Sequence, residues 1–257
     1  MTYFTGIDIG STASKVVVLD SEKIVDYFVI PTGWNSKDTA RDIAQRLAEK
    51  DMPVSEEMKV IATGYGRISV DYASKVVTEI TCHGRGAYHL LGHDCMVVDI
   101  GGQDTKVITV EKGMAANFLM NDKCAAGTGK FLEIMANRLN VDLPELFTLA
   151  SQGTPLAISA MCTVFAESEV ISHIGAGEKR EDIAAGVVES VVSRVAGLCS
   201  RHAVKGSLLL TGGLCECEYL HNRLSEKLGS PVQSHPMGRY AGALGAALIA
   251  RDGKKIR

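Results

Sequence analysis

The chain lacks several features that would place it in a common class at once. Lysine and arginine do not outnumber the acidic residues, and a net charge of −3 with a pI near 6.2 provides no basic field for nucleic acid or an anionic membrane. No uninterrupted apolar run approaches the roughly 20 residues that a membrane helix needs. No basic and apolar leader precedes the strand-like start MTYFTGIDIG, so we expect a cytoplasmic protein.

The seven cysteines also lack the spacing of a common site. They stand at positions 82, 95, 124, 162, 199, 215 and 217, without a CxxC pair. A disulfide framework is not expected in a reducing compartment. Cys199 lies in an amphipathic run and is expected in the core, whereas Cys82 is expected in a turn with His83. The CxC at 215–217 has no partner pair that would complete a metal site.

An internal repeat is present instead. IDIGSTASKVVV at 7–18 aligns without a gap on VDIGGQDTKVIT at 98–109, which matches Asp8 with Asp99 at an offset of 91 residues. Each copy predicts a strand, a tight glycine turn and a returning strand of β-branched residues. The repeat therefore predicts two similar lobes, each with a hairpin that faces a shared cleft.

Hairpins of this kind have a chemical use, although glycine turns with purely structural aspartates remain the alternative. Glycine turns expose backbone N–H groups, and hydroxyl side chains add donors that can surround phosphate oxygens. Carboxylates at strand ends suit Mg²⁺ held through water, and a lysine supplies a point charge. The candidates are Asp8, Gly10, Ser11, Thr12, Ser14 and Lys15 in the first copy and Asp99, Gly101, Gly102 and Lys106 in the second.

Two further glycine turns extend the candidate nucleotide site. LLLTGGL at 208–214 follows an apolar strand, which suits close approach of Gly212 and Gly213 to a base or ribose. GTGK at 127–130 is not a Walker A motif, because Cys124 stands where that motif needs glycine and Phe131 follows the lysine. We expect this loop to open a helix whose N-terminus is free to bind an anion.

Two cysteines stand just before predicted helices, Cys124 in NDKCAAGTGK and Cys162 in CTVFAESEVISH, where Thr163 is a candidate cap. A helix N-terminus favours thiolate over thiol. Three interpretations stay open for this pair: buried inert thiols, a nucleophile that needs a histidine base, and metal or cluster ligation. Two thiolates are too few for an iron–sulfur cluster, but a symmetric homodimer brings four to one site.

The motifs DIGSTASK, TGYGR, DIGGQDTK, NDKCAAGTG, CTVFAESEVISH, TGG and GALGAA together resemble one family along essentially the whole chain. This family comprises the ATP-dependent activators of 2-hydroxyacyl-CoA dehydratases and the ATPase subunits of benzoyl-CoA reductase, within the acetate-kinase, Hsp70 and actin superfamily. The resemblance implies an α/β fold of two ribonuclease-H-like lobes with a nucleotide cleft between them. We expect lobe I to comprise residues 1–92 and 236–257 and lobe II to comprise 93–235.

The resemblance also implies the cofactors and their ligands. MgATP or ADP is expected on the residues named above, on Gly127, Thr128, Gly129 and Lys130, and on Gly212 and Gly213. Gln103 or Asp104 is expected to orient the attacking water. Cys124 and Cys162 match the two cysteines that, from each subunit of a homodimer, hold one [4Fe–4S] cluster at the dimer axis.

The resemblance implies an ATP-driven one-electron donor in an anaerobic host. Ferredoxin or flavodoxin is the expected donor, and the expected acceptor is an iron–sulfur dehydratase or a related double-cubane-cluster reductase. Two alternatives remain. A small-molecule kinase of the same superfamily needs a substrate pocket with a catalytic base, and a nucleotide-gated scaffold would bind ATP without a cluster.

Overall fold

The structure is a computed structural model that describes residues 2–159, 161–202 and 206–253. Residues 254–257 of the expected lobe I and Ala160 of the cysteine motif region lie outside the described residues. The strands are β1 Tyr3–Ile9, β2 Ala13–Leu19, β3 Ile24–Pro31, β4 Met58–Thr63, β5 Lys75–Val76, β6 Cys95–Ile100, β7 Thr105–Glu111, β8 Met114–Asn121, β9 Ser207–Gly212 and β10 Val232–Gln233. The α-helices are α1 Ser36–Glu49, α2 Glu79–Leu91, α3 Gly129–Arg138, α4 Leu143–Ala150, α5 Thr163–Gly175, α6 Arg180–Ser200, α7 Glu218–Leu228 and α8 Ala241–Asp252.

The strands form two five-stranded sheets that share one topology. The first sheet has the order β3-β2-β1-β4-β5, and the second has the matching order β8-β7-β6-β9-β10. In the first sheet β1 pairs antiparallel with β2 and parallel with β4. The matching orders confirm the α/β class and the duplicated fold that the paired DIG hairpins predict.

The chain divides into two compact units. The first comprises Met1–Val97, Ile108–Phe118 and Pro236–Arg257, and the second comprises Val98–Val107 and Leu119–His235. The second repeat is longer because α3 to α6 stand between β8 and β9, whereas α1 alone stands between β3 and β4. The insertion carries Cys162, so this cysteine has no counterpart in the first repeat.

The first sheet is buried on both faces, which explains the unbroken VVVL run in β2. Successive side chains of a strand point to opposite faces. Accordingly, Val16 and Val18 belong to the apolar cluster that includes α1 residues, whereas Val17 and Leu19 pack with residues of α8. The strand ends that carry Asp8 and Gly10 are therefore mounted on a rigid, two-sided core.

Helix α8 packs unusually close to its neighbours, as the small residues of GALGAALIA at 242–250 predict. A Cβ on Gly245 would stand 1.8 Å from the carbonyl oxygen of Cys82 in α2. A Cβ on Gly6 in β1 would stand 1.9 Å from the carbonyl oxygen of Ala243. Helices α2 and α8 and strand β1 thus meet backbone to backbone, which only glycine permits at these points.

Helix α6 is the one helix in the described ranges whose length and apolarity would suit a membrane span. Its apolar window has a mean hydropathy of 1.4, and 72% of that window is buried inside the protein. Helix α6 contains Cys199, whose expected place in the core is confirmed. Such burial is typical of a core helix, and α6 lies in the second unit.

Replacing Gly245 by alanine should destabilise the first unit, because the new methyl group would overlap the Cys82 carbonyl. We expect the free energy of unfolding to fall by about 2 kcal/mol or more, measured by urea denaturation. Gly197→Ala is the matched control, since its Cβ would meet no atom within 4 Å in helix α6. The control should stabilise by roughly 0.5–1 kcal/mol. Equal stability of Gly245→Ala and the wild type would refute the close contact.

Candidate functional site

The first repeat places a buried carboxylate where β1 ends. Asp8 is 3% exposed, and its Oδ2 lies 3.5 Å from Nζ of Lys15 on β2. Its other oxygen, Oδ1, is buried and has no hydrogen-bond partner among the described residues. A buried carboxylate oxygen without a donor is unfavourable, so it needs a cation or an ordered water in the working protein.

The second repeat satisfies its equivalent carboxylate more fully. Asp99 Oδ2 lies 3.3 Å from Lys106 Nζ, and Asp99 Oδ1 accepts a hydrogen bond of 2.8 Å from the hydroxyl of Thr211. Lys106 is buried and also forms an ion pair of 2.7 Å with Asp104. The two repeats therefore share one architecture but differ in whether both carboxylate oxygens have a partner.

A third element of the repeat becomes visible only in the folded chain. Thr63 lies opposite Asp8 on the adjacent strand β4, and Gly64 comes next in the chain. In the second repeat Thr211 of β9 bonds to Asp99, and Gly212 comes next in the chain. Gly64 has φ +89° and Gly212 has φ +92°, a backbone conformation that L side chains rarely adopt. The Thr-Gly dipeptides at 63–64 and 211–212 are the sequence signal of this third element. The insertion in the second repeat changes the distance from the aspartate to the dipeptide, so an alignment at the constant offset of 91 residues does not reveal them.

The donor set of the first hairpin fits hydrated Mg²⁺ and phosphate. The orphaned Asp8 Oδ1 is a hard anionic oxygen of the kind that Mg²⁺ binds through water. Ser11 and Gly10 are partly exposed and Thr12 is exposed at the turn, so their donors are accessible. Ser14, by contrast, is buried and its hydroxyl lies 2.7 Å from the Thr32 hydroxyl, which makes it a structural member of the hairpin.

The second hairpin distributes its candidate residues differently. Gln103 is exposed and Gly101 and Gly102 are partly exposed at the turn. Asp104 is held by Lys106, which reduces its freedom to orient a water molecule. Of the two residues expected to position water, Gln103 is the more accessible.

The glycine loop opens a helix as expected, but the helix start is engaged. Helix α3 begins at Gly129, and the Gly129 and Lys130 amides donate hydrogen bonds of 2.9 and 2.8 Å to the carbonyls of Gly101 and Gly102. The expectation that these amides are free to bind an anion is wrong, because the second hairpin already accepts them. Lys130 pairs at the surface with Glu133.

Cys124 contacts the segment that carries Cys162 in the second unit. The Sγ atom of Cys124 lies 3.7 Å from the carbonyl oxygen of Met161, the residue next to Cys162. Both cysteines are partly exposed. Cys162 is itself the N-cap of α5 and its side chain makes no capping hydrogen bond, so the expectation that Thr163 caps this helix is wrong.

Four of the other five cysteines are buried, and Cys217 is partly exposed. Burial raises the pKa of Cys82 to about 12 and that of Cys95 and Cys199 to about 11. Cys215 is fully buried, and burial also raises the pKa of Cys217, which is the N-cap of α7. Cys82 and His83 are buried within α2, so the expected turn is wrong: the TCHGRGA glycines serve helix packing.

One chain does not hold enough ligands for a complete cluster. The described ranges contain no group of three or more histidine, cysteine, aspartate or glutamate side chains that could hold a metal ion. A pair of partly exposed thiols provides half of the ligands that a four-thiolate site needs.

The cysteines should differ sharply in reactivity in native protein without a cluster. At pH 8, iodoacetamide should modify Cys124 and Cys162 first, whereas a pKa two units above the ordinary value slows Cys199 by roughly 100-fold. Peptide mass spectrometry against time measures these rates, and unfolded protein, in which all seven cysteines should react, is the control. Modification of Cys199 as fast as Cys124 in the native chain would contradict this assignment.

Comparison with characterised proteins identifies the family. Residues 5–250 match the BadF/BadG/BcrA/BcrD ATPase family. The (R)-2-hydroxyglutaryl-CoA dehydratase activating ATPase of Acidaminococcus fermentans is 45% identical over 251 residues, 96% of each chain. The crystal structure of component A of the same dehydratase superposes with a TM-score of 0.92 at 44% identity, and the match covers 98% of this chain and 99% of that one.

Two further solved structures extend the comparison. An activator of the 2-hydroxyisocaproyl-CoA dehydratase from Clostridium difficile, with bound ADPNP, matches over 100% of both chains with a TM-score of 0.90 and 38% identity. A ROK family glucokinase from Streptomyces griseus, which covers 98% of this chain, has a TM-score of 0.61 and 15% identity, so it shares the fold alone. The resemblance that the sequence motifs carry is confirmed, and the chain belongs to the BadF/BadG/BcrA/BcrD ATPase family.

Proposed function

We propose that this chain is an ATP-dependent one-electron activator of a partner iron–sulfur enzyme, such as a 2-hydroxyacyl-CoA dehydratase. The observation that carries the proposal is that the second hairpin, within the second unit, is hydrogen-bonded directly to the segment that carries Cys124. Gly129 and Lys130 donate to the hairpin carbonyls, and Cys124 stands five residues before Gly129. A kinase needs no such junction.

The nucleotide is proposed to bind on the paired hairpins. Asp8 Oδ1 would accept a hydrogen bond from Mg²⁺-bound water, Lys15 would offset phosphate charge, and the exposed Gln103 would orient the attacking water, with Asp104 as the second candidate. The remaining proposed binding residues are Gly10, Ser11, Thr12, Asp99, Gly101, Gly102, Gly127, Thr128, Gly212 and Gly213, whereas Ser14 and the amides of Gly129 and Lys130 are already engaged within the protein. We also propose that lobe I comprises residues 1–92 and 236–257 and that lobe II comprises residues 93–235.

Cys124 and Cys162 are proposed to hold one [4Fe–4S] cluster together with the same pair of a second copy. When bound, this cluster would accept and donate single electrons at low potential. An exposed apolar surface beside Cys162 supports the proposal of a homodimer. Met161, Val164 and Phe165 are 78%, 65% and 64% exposed there. Ile171 and Ile174 continue this apolar surface by about two further turns, and large exposed apolar patches mark interaction sites.

The proposed partners follow from this chemistry. Ferredoxin or flavodoxin would supply the electron, and the dehydratase or a related reductase would receive it. A surface-exposed cluster favours an anaerobic host, and the expected compartment is the cytoplasm. ATP can drive the transfer only if it binds two conformations of the protein with different affinity.

The role of Asp8 can be tested with a neutral isostere. Asp8→Asn should lower MgATP hydrolysis by roughly 100-fold, because it removes the charge that holds hydrated Mg²⁺. Asp38→Asn is the matched control, since Asp38 is exposed on α1 and pairs with Arg41 at the surface. ADP release is measured with and without a hydroxyacyl-CoA dehydratase. Full hydrolysis by Asp8→Asn, or acceleration by a sugar or acyl acceptor instead of the dehydratase, would count against the proposal.

The dimer surface can be tested separately. Phe165→Glu should shift the sedimenting mass from the dimer toward the 27.4 kDa chain, because a charge in an apolar interface loses its hydration. Trp34→Glu is the control, since Trp34 is 98% exposed in the first unit and should leave the dimer intact. If Phe165→Glu sediments as wild type, α5 is not the interface.

A further inference from the structure

The loop that carries Cys124 is held by side chains along its whole length. The four carbonyl oxygens of residues 124–127 each accept a hydrogen bond from a side chain. Asn121 Nδ2 donates to the carbonyls of Cys124 and Ala126, at 2.9 and 3.0 Å. The hydroxyl of Thr128 donates to the Ala125 carbonyl at 2.6 Å, and the hydroxyl of Thr105 donates to the Gly127 carbonyl at 2.6 Å.

This arrangement fixes the loop shape through side chains that stand at the start of β7, at the end of β8 and at the N-cap of α3. Loop carbonyls usually bond to water, which leaves the backbone free to change conformation. Here three side chains replace that water. Gly127 is also confined, since it has φ +85° and a Cβ on it would stand 2.6 Å from Cγ of Arg194. The position of Cys124 is therefore set by the hydrogen-bond partners of its loop.

Thr105 differs from the other two donors because it belongs to the second hairpin. Asn121 and Thr128 lie within five residues of the carbonyls they bind, whereas Thr105 is 22 residues from Gly127. Thr105 is buried at the start of β7. Its hydrogen bond adds to the two that the Gly129 and Lys130 amides donate to the hairpin. The hairpin and the cysteine loop are therefore connected at three points.

The first repeat has an equivalent connection with a different target. Ser14, which aligns with Thr105, lies 2.7 Å from the hydroxyl of Thr32, and Thr32 donates to the Gly10 carbonyl at 2.8 Å. In both repeats a hydroxyl at this position ties the hairpin to the segment that follows the third strand. In the second repeat that segment is the cysteine loop.

We propose that Thr105 and Asn121 are positioning residues for Cys124. Asn121 sets the shape of the cysteine loop, and the Thr105 hydroxyl transmits displacement of the phosphate hairpin to that loop. The inference rests on the proposed function in that the hairpin responds to nucleotide. Neighbouring strand residues point to opposite faces, so the Thr105 hydroxyl faces Gly127 while Lys106 faces Asp99. Nucleotide affinity should therefore be little affected by Thr105 variants.

The test compares the wild type with Thr105→Val, which loses the hydroxyl, and Thr105→Ser, which keeps it. Thr32→Val is the matched control, because it removes the hydroxyl of the equivalent connection in the first repeat. Iron is measured first on protein purified without oxygen. Where iron is present, the rate of its release to a chelator is the readout. Where it is absent, the readout is the rate of Cys124 alkylation by iodoacetamide.

Each rate is taken with and without a saturating non-hydrolysable ATP analogue, whose affinity for each variant is measured by calorimetry. In the wild type, Thr105→Ser and Thr32→Val, the analogue should change the rate by about fivefold or more. In Thr105→Val the ratio should fall close to one. Asn121→Ala should raise the rate without nucleotide by about threefold or more, because two loop carbonyls lose their donor.

Three results would overturn the inference: an undiminished ratio in Thr105→Val, a wild-type ratio of one, or loss of analogue binding in Thr105→Val. The inference and the proposed function fail separately. Iron-free wild type would contradict the proposed function, while the alkylation ratio would still decide the role of Thr105. Iron in every variant with an unchanged ratio in Thr105→Val would contradict the inference alone.

Discussion

A buried carboxylate at the end of a central strand is the constraint around which each half of this fold is arranged. Such a group is costly to bury unless charge or hydrogen bonds compensate for lost water. Asp99 receives Lys106 and Thr211, whereas Asp8 receives Lys15 at a longer distance and leaves one oxygen unpaired. The duplication therefore yields one carboxylate with partners on both oxygens and one with an oxygen that still needs a cation or an ordered water.

The second consequence concerns the cysteines. Four of the seven are buried, and burial also raises the pKa of the partly exposed Cys217, whereas Cys124 and Cys162 are partly exposed in segments that precede helices. Cys124 sits in a loop hydrogen-bonded to the second hairpin, and Cys162 begins α5, whose outer face is apolar. The second hairpin and the two cysteines thus lie in one unit.

Much of this arrangement was predictable from the sequence. The gapless DIG repeat predicted the duplicated topology, because strand, turn and returning strand each leave a local pattern. The T-G pairs at 63–64 and 211–212 escaped recognition as part of the repeat, since four helices of insertion separate β8 from β9. The α3 amides and the Thr105 hydroxyl find their partners across the fold, at separations that no local pattern encodes.

The central claim is that Cys124 and Cys162 of two chains hold one cluster. Iron and acid-labile sulfide per dimer, measured on protein purified without oxygen, test it most directly. About four irons per dimer are expected, lost in Cys124→Ser and in Cys162→Ser but retained in Cys217→Ser. A wild-type protein that hydrolyses ATP yet holds no iron would contradict a shared cluster and favour a small-molecule kinase.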